Sequence, residues 1–242
     1  MKEKIKDKVM FLLFTYPVGI LLGIGLFLLR ISKRIRIMSP ERFPRRKRKI
    51  IVVSNHPSLL EPMLLPALFF REYLFSPFKY APWSVPDRHN YYDKWYWFFA
   101  RPRLLPVERG NNRAGMKVLL RIKEVLDKKG IIIIFPEAGR TFKGNPSDML
   151  ESRRGKKLRR FKPGVGWLVI KTRATILPVW VEGTDKMLPN RAGRLFSHPR
   201  FSEKAIIKIG NPVRFKTNGN RVVKAGKIAD AIANILLQLA DE

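Results

Sequence analysis

Ile50-Ile51-Val52-Val53-Ser54-Asn55-His56-Pro57-Ser58-Leu59-Leu60-Glu61-Pro62 and Ile131-Ile132-Ile133-Ile134-Phe135-Pro136-Glu137-Ala138-Gly139-Arg140-Thr141 are the two stretches that decide how this chain folds. Each opens on a short, unbroken run of β-branched apolar residues, the pattern of a strand buried on both faces, and then breaks at a proline into a polar loop. In an α/β sheet, the edge where such strands surface is where functional groups collect. The first loop carries an imidazole, His56, and a carboxylate, Glu61, five positions apart. The second carries a carboxylate, Glu137, and a guanidinium, Arg140, three apart. A base, a group to orient it and an anion clamp are therefore present.

Outward from these strings, short apolar runs alternate with longer amphipathic ones, as in a layered α/β domain with a mixed central sheet flanked by helices. Strands are predicted at 50–53, 78–81, 103–107, 131–135, 176–182 and 205–209, and helices at 60–71, 90–100, 112–129, 164–173 and 221–240. The last helix has an apolar stripe, Val222-Val223, Ala225, Ile228-Ala229, Ile232, Ile235-Leu236 and Leu239, that reads as core packing. Phe142 to Pro163 shows no periodicity and is dense in Lys and Arg from Arg153 onward, so it reads as a long loop beside the second string. The aromatic cluster from Tyr91 to Phe99 suits either a core or an interfacial belt at headgroup depth.

The chain has 242 residues, 49 Lys+Arg and 19 Asp+Glu, a net charge of +30. That charge draws it to anionic surfaces, whether lipid, nucleic acid or an acidic carrier protein. No readable nucleic-acid motif accompanies it, which argues against a nucleic-acid partner. Cysteine is absent, which removes disulfides and a thiol nucleophile. The histidines are His56, His89 and His198, none at the close spacing of a helical zinc motif, so no metal site is expected.

Val9 to Leu29 is an almost unbroken apolar run that would be about 30 Å long as a helix, enough for a hydrocarbon core. Pro17 and Gly19 interrupt it. Lysines precede it and Arg30, Lys33, Arg34 and Arg36 follow, so the positive-inside rule favours both flanks on one side. This predicts a monotopic anchor on the cytoplasmic face of a membrane, a re-entrant pair of short helices broken near Pro17, with a single spanning helix as the rival. Residues 1–49 then form the anchor and a basic linker, and 50–242 the catalytic domain.

These motifs, in this order, resemble the glycerolipid acyltransferase superfamily and are similar to bacterial 1-acylglycerol-3-phosphate acyltransferases. The blocks are His56 to Glu61, Leu104-Leu105-Pro106-Val107-Glu108-Arg109, Phe135 to Thr141 with Phe161-Lys162-Pro163-Gly164 after it, and Ile176-Leu177-Pro178-Val179. Glu61 stands where that family has Asp, and Ala138-Gly139 departs mildly from its pattern. The resemblance implies a glycerophosphate acyltransferase-like fold and transfer of a fatty acyl group from acyl-ACP or acyl-CoA, as co-substrate and without a cofactor, to a lysophospholipid hydroxyl. It assigns His56 and Glu61 as catalytic, and Arg109, Glu137, Gly139, Arg140, Thr141 and Lys162 as substrate-binding. Membrane lipids and an acyl carrier protein are the implied partners. Other acceptors (glycerol 3-phosphate, another lysolipid, a glycolipid) and a non-catalytic binding protein on the same fold are the alternatives.

The chemistry fits those residue types. Imidazole titrates near neutrality and can take a hydroxyl proton, and a carboxylate on its far nitrogen fixes the tautomer. Ser58-x-x-Glu61 is also a capping box, in which Glu61 would reach back to the amide of Ser58. Arginines hold phosphates through forked hydrogen bonds.

Overall fold

The computed structural model describes residues 5–45, 47–108, 110, 112–189, 198–216 and 221–242. Among them the strands are β1 (Ile35–Met38), β2 (Ile50–Ser54), β3 (Trp83–Ser84), β4 (Ile131–Ile134), β5 (Met149–Glu151), β6 (Lys157–Arg159), β7 (Thr175–Glu182) and β8 (Ala205–Ile209). The helices are α1 (Ile5–Met10), α2 (Tyr16–Ile31), α3 (Glu61–Ala67), α4 (Phe70–Phe75), α5 (Pro77–Tyr80), α6 (Asn112–Asp127), α7 (Gly164–Thr172), α8 (Thr184–Met187) and α9 (Arg221–Asp241). Six strands form one sheet in the order β1-β8-β7-β2-β4-β3, mixed because β7 and β8 alone run antiparallel. The two decisive strings are its centre: Val52 of β2 lies opposite Ile133 of β4 on one side and Leu177 of β7 on the other.

Because side chains alternate across a strand, each run feeds both faces. Ile51, Val53, Ile132 and Ile176 pack under α6, α7 and α9, against Leu126, Leu168 and Ile232. Ile50, Val52, Ile131 and Ile133 pack on the other face against Leu26 of α2 and Leu64 and Leu65 of α3. Burying each such side chain stabilises by about 1.5–3 kcal/mol, so a polar residue in either run would be excluded. On α9, Ala225, Ile228, Ala229, Ile232, Leu236 and Leu239 are buried as the spacing predicts and Ile235 is half-buried; the side chains of Val222 and Val223 lie outside the described ones.

The N-terminal segment is continuous rather than a broken pair. Ile5–Ile31 is one apolar helix, long enough to cross a membrane. Its middle, Phe11–Thr15, is a π-turn closed by the Tyr16 amide donating to the Phe11 carbonyl. Pro17 removes a donor and crowds the preceding turn; the wider π-turn absorbs that misfit, so the chain stays helical. The helix is docked along the domain. Tyr73 Oη donates to the Thr15 carbonyl at 3.0 Å and Tyr16 Oη to the Leu74 carbonyl at 2.8 Å. The buried Arg103 guanidinium lies over the rings of Phe11 and Trp83, at 4.4 and 4.7 Å. Gly19 and Gly23 allow the close approach, since a Cβ there would sit 2.5 Å from the Tyr73 ring and 2.0 Å from the Phe70 ring. The opposite face, with Leu13, Leu21, Phe27 and Leu28, is exposed.

Other expectations are corrected. The division at residue 49 falls inside the folded unit, because Ile35–Met38 of the supposed linker is an edge strand paired to β8. Residues 78–81 are not a strand: Pro77 opens the helical turn α5, and the strand is displaced to Trp83–Ser84. At 103–107 only isolated bridges form, Ser84 with Leu104 and Asp87 with Val107, because Pro102 and Pro106 have no amide for a ladder. The helix expected at 60–71 is split into α3 and α4, a turn after Pro66. At 90–100 a π-turn and a 3-10 segment replace an α-helix. The aperiodic 142–163 stretch contains the β5–β6 hairpin, whose three-residue strands are too short to show a period.

Candidate active site

The last residues of β2 deliver His56. Asn55 is buried and bonds both ways with Val181 of β7, Nδ2 to the carbonyl at 2.7 Å and Oδ1 from the amide at 2.8 Å, so the strand end cannot swing. The His56 ring stacks on Phe135, at the end of β4, with centroids 4.4 Å apart. Its Nδ1 lies 3.0 Å from Oε2 of Glu61. A carboxylate oxygen accepts there, which places the proton on Nδ1 and leaves Nε2 as the basic nitrogen.

Glu61 serves both roles that its sequence context suggests. The same Oε2 accepts from the Ser58 amide at 3.0 Å, and Oε1 accepts from Ser58 Oγ at 2.8 Å. The box is modified on its other arm: Ser58 Oγ accepts from the Leu60 amide, two residues on, at 3.0 Å. One carboxylate therefore closes the loop and orients the imidazole. Thr184 Oγ1 also donates to Oε1.

Glu137 is a brace rather than a surface for substrate. Its carboxylate is buried, with Oε1 accepting from the His56 amide and Thr141 Oγ1, each at 2.8 Å, and Oε2 from the Arg159 amide at 3.0 Å. Burial raises its pKa, and the bonds from Arg159, Thr141 and His56 offset only part of that. Glu137 thus ties the His56 loop, the Thr141 turn and the β5–β6 hairpin together. The Thr141 amide adds a bond to the His56 carbonyl at 2.9 Å. Neither Glu137 nor Thr141, both expected to bind substrate, is among the residues that line the cavity described next; in the structure they bond to each other and to the loop that carries His56. The reversal that turns Glu137 inward and Arg140 outward passes through Ala138, which has a φ of 54°.

His56 opens onto a cavity of about 470 Å³, inside the ~300–1,000 Å³ range of small-molecule sites. Its polar lining includes Gly139, Arg140, Lys143 and Lys162, and its apolar walls include Leu22 of α2 and Met63 of α3. Arg140, Gly139 and Lys162, expected to bind substrate, are thus brought together on the wall of one cavity with His56. Lys143 was missed, although it lies only three positions after Arg140. Arg109 lies outside the described residues. The aromatic cluster divides: Tyr91, Trp97 and Phe99 line the cavity, while Trp95 is exposed. Thr184 had no sequence signal, being 123 residues from its partner.

The histidine–carboxylate pair thus lies at the C-terminal edge of a layered α/β sheet and faces a cavity that joins apolar walls to the cationic side chains of Arg140, Lys143 and Lys162. The chain belongs to the acyltransferase family, whose model matches residues 34–182. It is 25% identical over 165 residues to a chloroplastic 1-acyl-sn-glycerol-3-phosphate acyltransferase of Arabidopsis thaliana, covering 68% of this chain and 40% of that protein. A chloroplastic enzyme of the same description from Brassica napus is 25% identical over 162 residues, 67% of this chain and 41% of its own length. The chain thus spans about two fifths of the curated relatives it matches. The fold is that of the crystal structure of the 1-acyl-sn-glycerophosphate acyltransferase PlsC from Thermotoga maritima, with a TM-score of 0.59 and 20% identity over 92% of this chain and 78% of that one.

Proposed function

We propose that the chain transfers a fatty acyl group from acyl-ACP or acyl-CoA to the hydroxyl of a lysophospholipid, with 1-acylglycerol 3-phosphate giving phosphatidate as the leading case. The observation that carries this is the His56–Glu61 pair facing a cavity that joins apolar walls to Arg140, Lys143 and Lys162. His56 Nε2 takes the acceptor's hydroxyl proton as its oxygen attacks the thioester carbonyl. The tetrahedral intermediate then collapses, and the departing thiolate takes that proton from the imidazolium. Glu61 stabilises the imidazolium without itself being protonated. The cations hold the acceptor's phosphate by charge-assisted hydrogen bonds. The reaction needs no cofactor beyond the donor thioester.

The exposed apolar face of the N-terminal helix, held along the domain, is the surface by which the protein lies on the cytoplasmic face of a membrane, its positive charge favouring anionic lipid. The test is transfer by purified protein on anionic vesicles, with labelled acyl-CoA and acyl-ACP against lysophosphatidate, glycerol 3-phosphate and a neutral lysolipid. Phosphatidate formation, lost in His56→Ala, is expected. Transfer to the neutral lysolipid alone would refute the assignment of the cations to a phosphate.

A further inference from the structure

We infer that Thr184 is a positioning residue for the catalytic pair, the one that fixes Glu61 to the body of the sheet; as a statement about catalysis this rests on the acyl-transfer reading above. Glu61 and Thr184 are both fully buried, and the threonine hydroxyl donates to Glu61 Oε1. With Ser58 Oγ on Oε1, and the Ser58 amide and His56 Nδ1 on Oε2, four donors converge on the carboxylate. That fills its usual acceptor positions. Three of the four belong to the 56–61 loop and move with it. Among the described residues, Thr184 is the donor from outside that loop.

The carrier of that hydroxyl is rigid on both sides. Before it, Glu182 at the end of β7 is held by Lys156 at 2.6 Å and Lys208 at 3.4 Å. Gly183 then turns the chain at a φ of 82°, where a Cβ would stand 2.3 Å from the Lys204 carbonyl oxygen, so glycine is required. After it, the Leu188 amide bonds the Thr184 carbonyl at 2.8 Å. A glutamate has one more rotatable bond than an aspartate, and its carboxylate can turn about the final torsion. Two hydroxyls on Oε1, one of them anchored to the sheet, hold Oε2 at the imidazole.

The test compares Thr184→Val, which deletes the hydroxyl at nearly constant volume, with Thr184→Ser, which keeps it. In acyl transfer the valine variant should lose roughly 10- to 100-fold in kcat, the effect of a lost hydrogen bond to a charged group, with donor and acceptor KM nearly unchanged. Serine should rescue it. Added to Glu61→Gln, the valine change should bring little further loss, because both act through one carboxylate.

A second arm is independent of turnover. In protein labelled with ¹⁵N-histidine, which has three histidines, the hydrogen-bonded Nδ1 proton of His56 should be seen in the wild type and in Thr184→Ser, and exchange faster in Thr184→Val. If Thr184→Val does not fold, Thr184→Ala replaces it in both arms. Wild-type kcat with an unchanged Nδ1 proton in a folded variant would overturn the inference, as would fully additive losses with Glu61→Gln. Absence of transfer by the wild type to every acceptor would instead sink the function, and the nuclear resonance arm would still decide the role of Thr184.

Discussion

Ala138→Gly should stabilise the protein while leaving the catalytic pair untouched. Ala138 has a φ of 54°, and a residue with a Cβ pays about 1–2 kcal/mol for the left-handed conformation. Its side chain is exposed, so its removal forfeits no packing. Glycine relieves that strain but brings a more flexible unfolded chain, a loss of about 0.4–1 kcal/mol. The net gain is about 0.5–1 kcal/mol, which for a domain of this size raises Tm by roughly 1–4 °C. The turn itself, with the Ala138 amide bonded to the Phe135 carbonyl at 3.2 Å, is retained, so Glu137 still faces inward and kcat should hold. Ala138→Val is the opposite perturbation: a β-branched side chain in the same conformation adds strain and should lower Tm. Thermal unfolding in one detergent at fixed pH, followed by circular dichroism and paired with the transfer assay, measures both. A lower Tm for the glycine variant would refute the strain argument.

Glu61→Gln can keep its oxygen on Ser58 and His56 and turn its amide toward the two hydroxyls, so Tm should move by a few degrees at most, while loss of the charge lowers kcat by about 10²–10⁴; equal kcat would discard the imidazolium role. Arg140→Ala together with Lys162→Ala should raise the acceptor KM more than the donor KM, and initial rates against both substrates decide it. Because Glu137 has a raised folded pKa, its folded form binds more protons than the unfolded chain between the two values, so this contribution is present below about 4.5 and is lost as pH rises through the folded pKa. The Tm of the wild type relative to Glu137→Gln should therefore fall as pH rises from about 4.5 toward neutrality, and a difference that grows would contradict the burial argument. Gly23→Leu, which drives a side chain into the Phe70 ring, should lift the N-terminal helix and lower Tm by overpacking worth about 1–3 kcal/mol; unchanged stability would mean that the helix does not dock there.

Residues 50–53 and 131–134 could be read as buried strands because a run of β-branched residues with no polar member has few homes other than a doubly covered strand. His56 and Glu61 were legible for a related reason. They are five apart on one loop, so local chain geometry alone brings imidazole and carboxylate within reach. The same holds for Gly139 and Arg140, which follow a readable strand.

Legibility ended where partners are distant or periods short. Pro17 was read as a break, yet docking against Tyr73 and Phe70 and one π-turn keep the helix whole. Glu137 was read as substrate-binding, because its chemistry suits that and nothing local says which way its carboxylate points. Its three donors come from His56, Thr141 and Arg159, and their convergence exists only after the strands are laid side by side.

By itself, then, the sequence determined the buried strands, the loops that follow them and the chemical types those loops present, since these depend on composition and on contacts a few residues apart. Tertiary structure alone decided that Thr184 meets Glu61 across 123 residues, that Glu137 faces inward, and that the N-terminal helix walls the cavity. Each of those arrangements depends on groups from distant segments that pack or pair only once the sheet has brought them together, the hydrogen bonds to Glu61 and Glu137 offsetting the cost of burying their carboxylates, and no local pattern in the chain encodes which distant segments will meet.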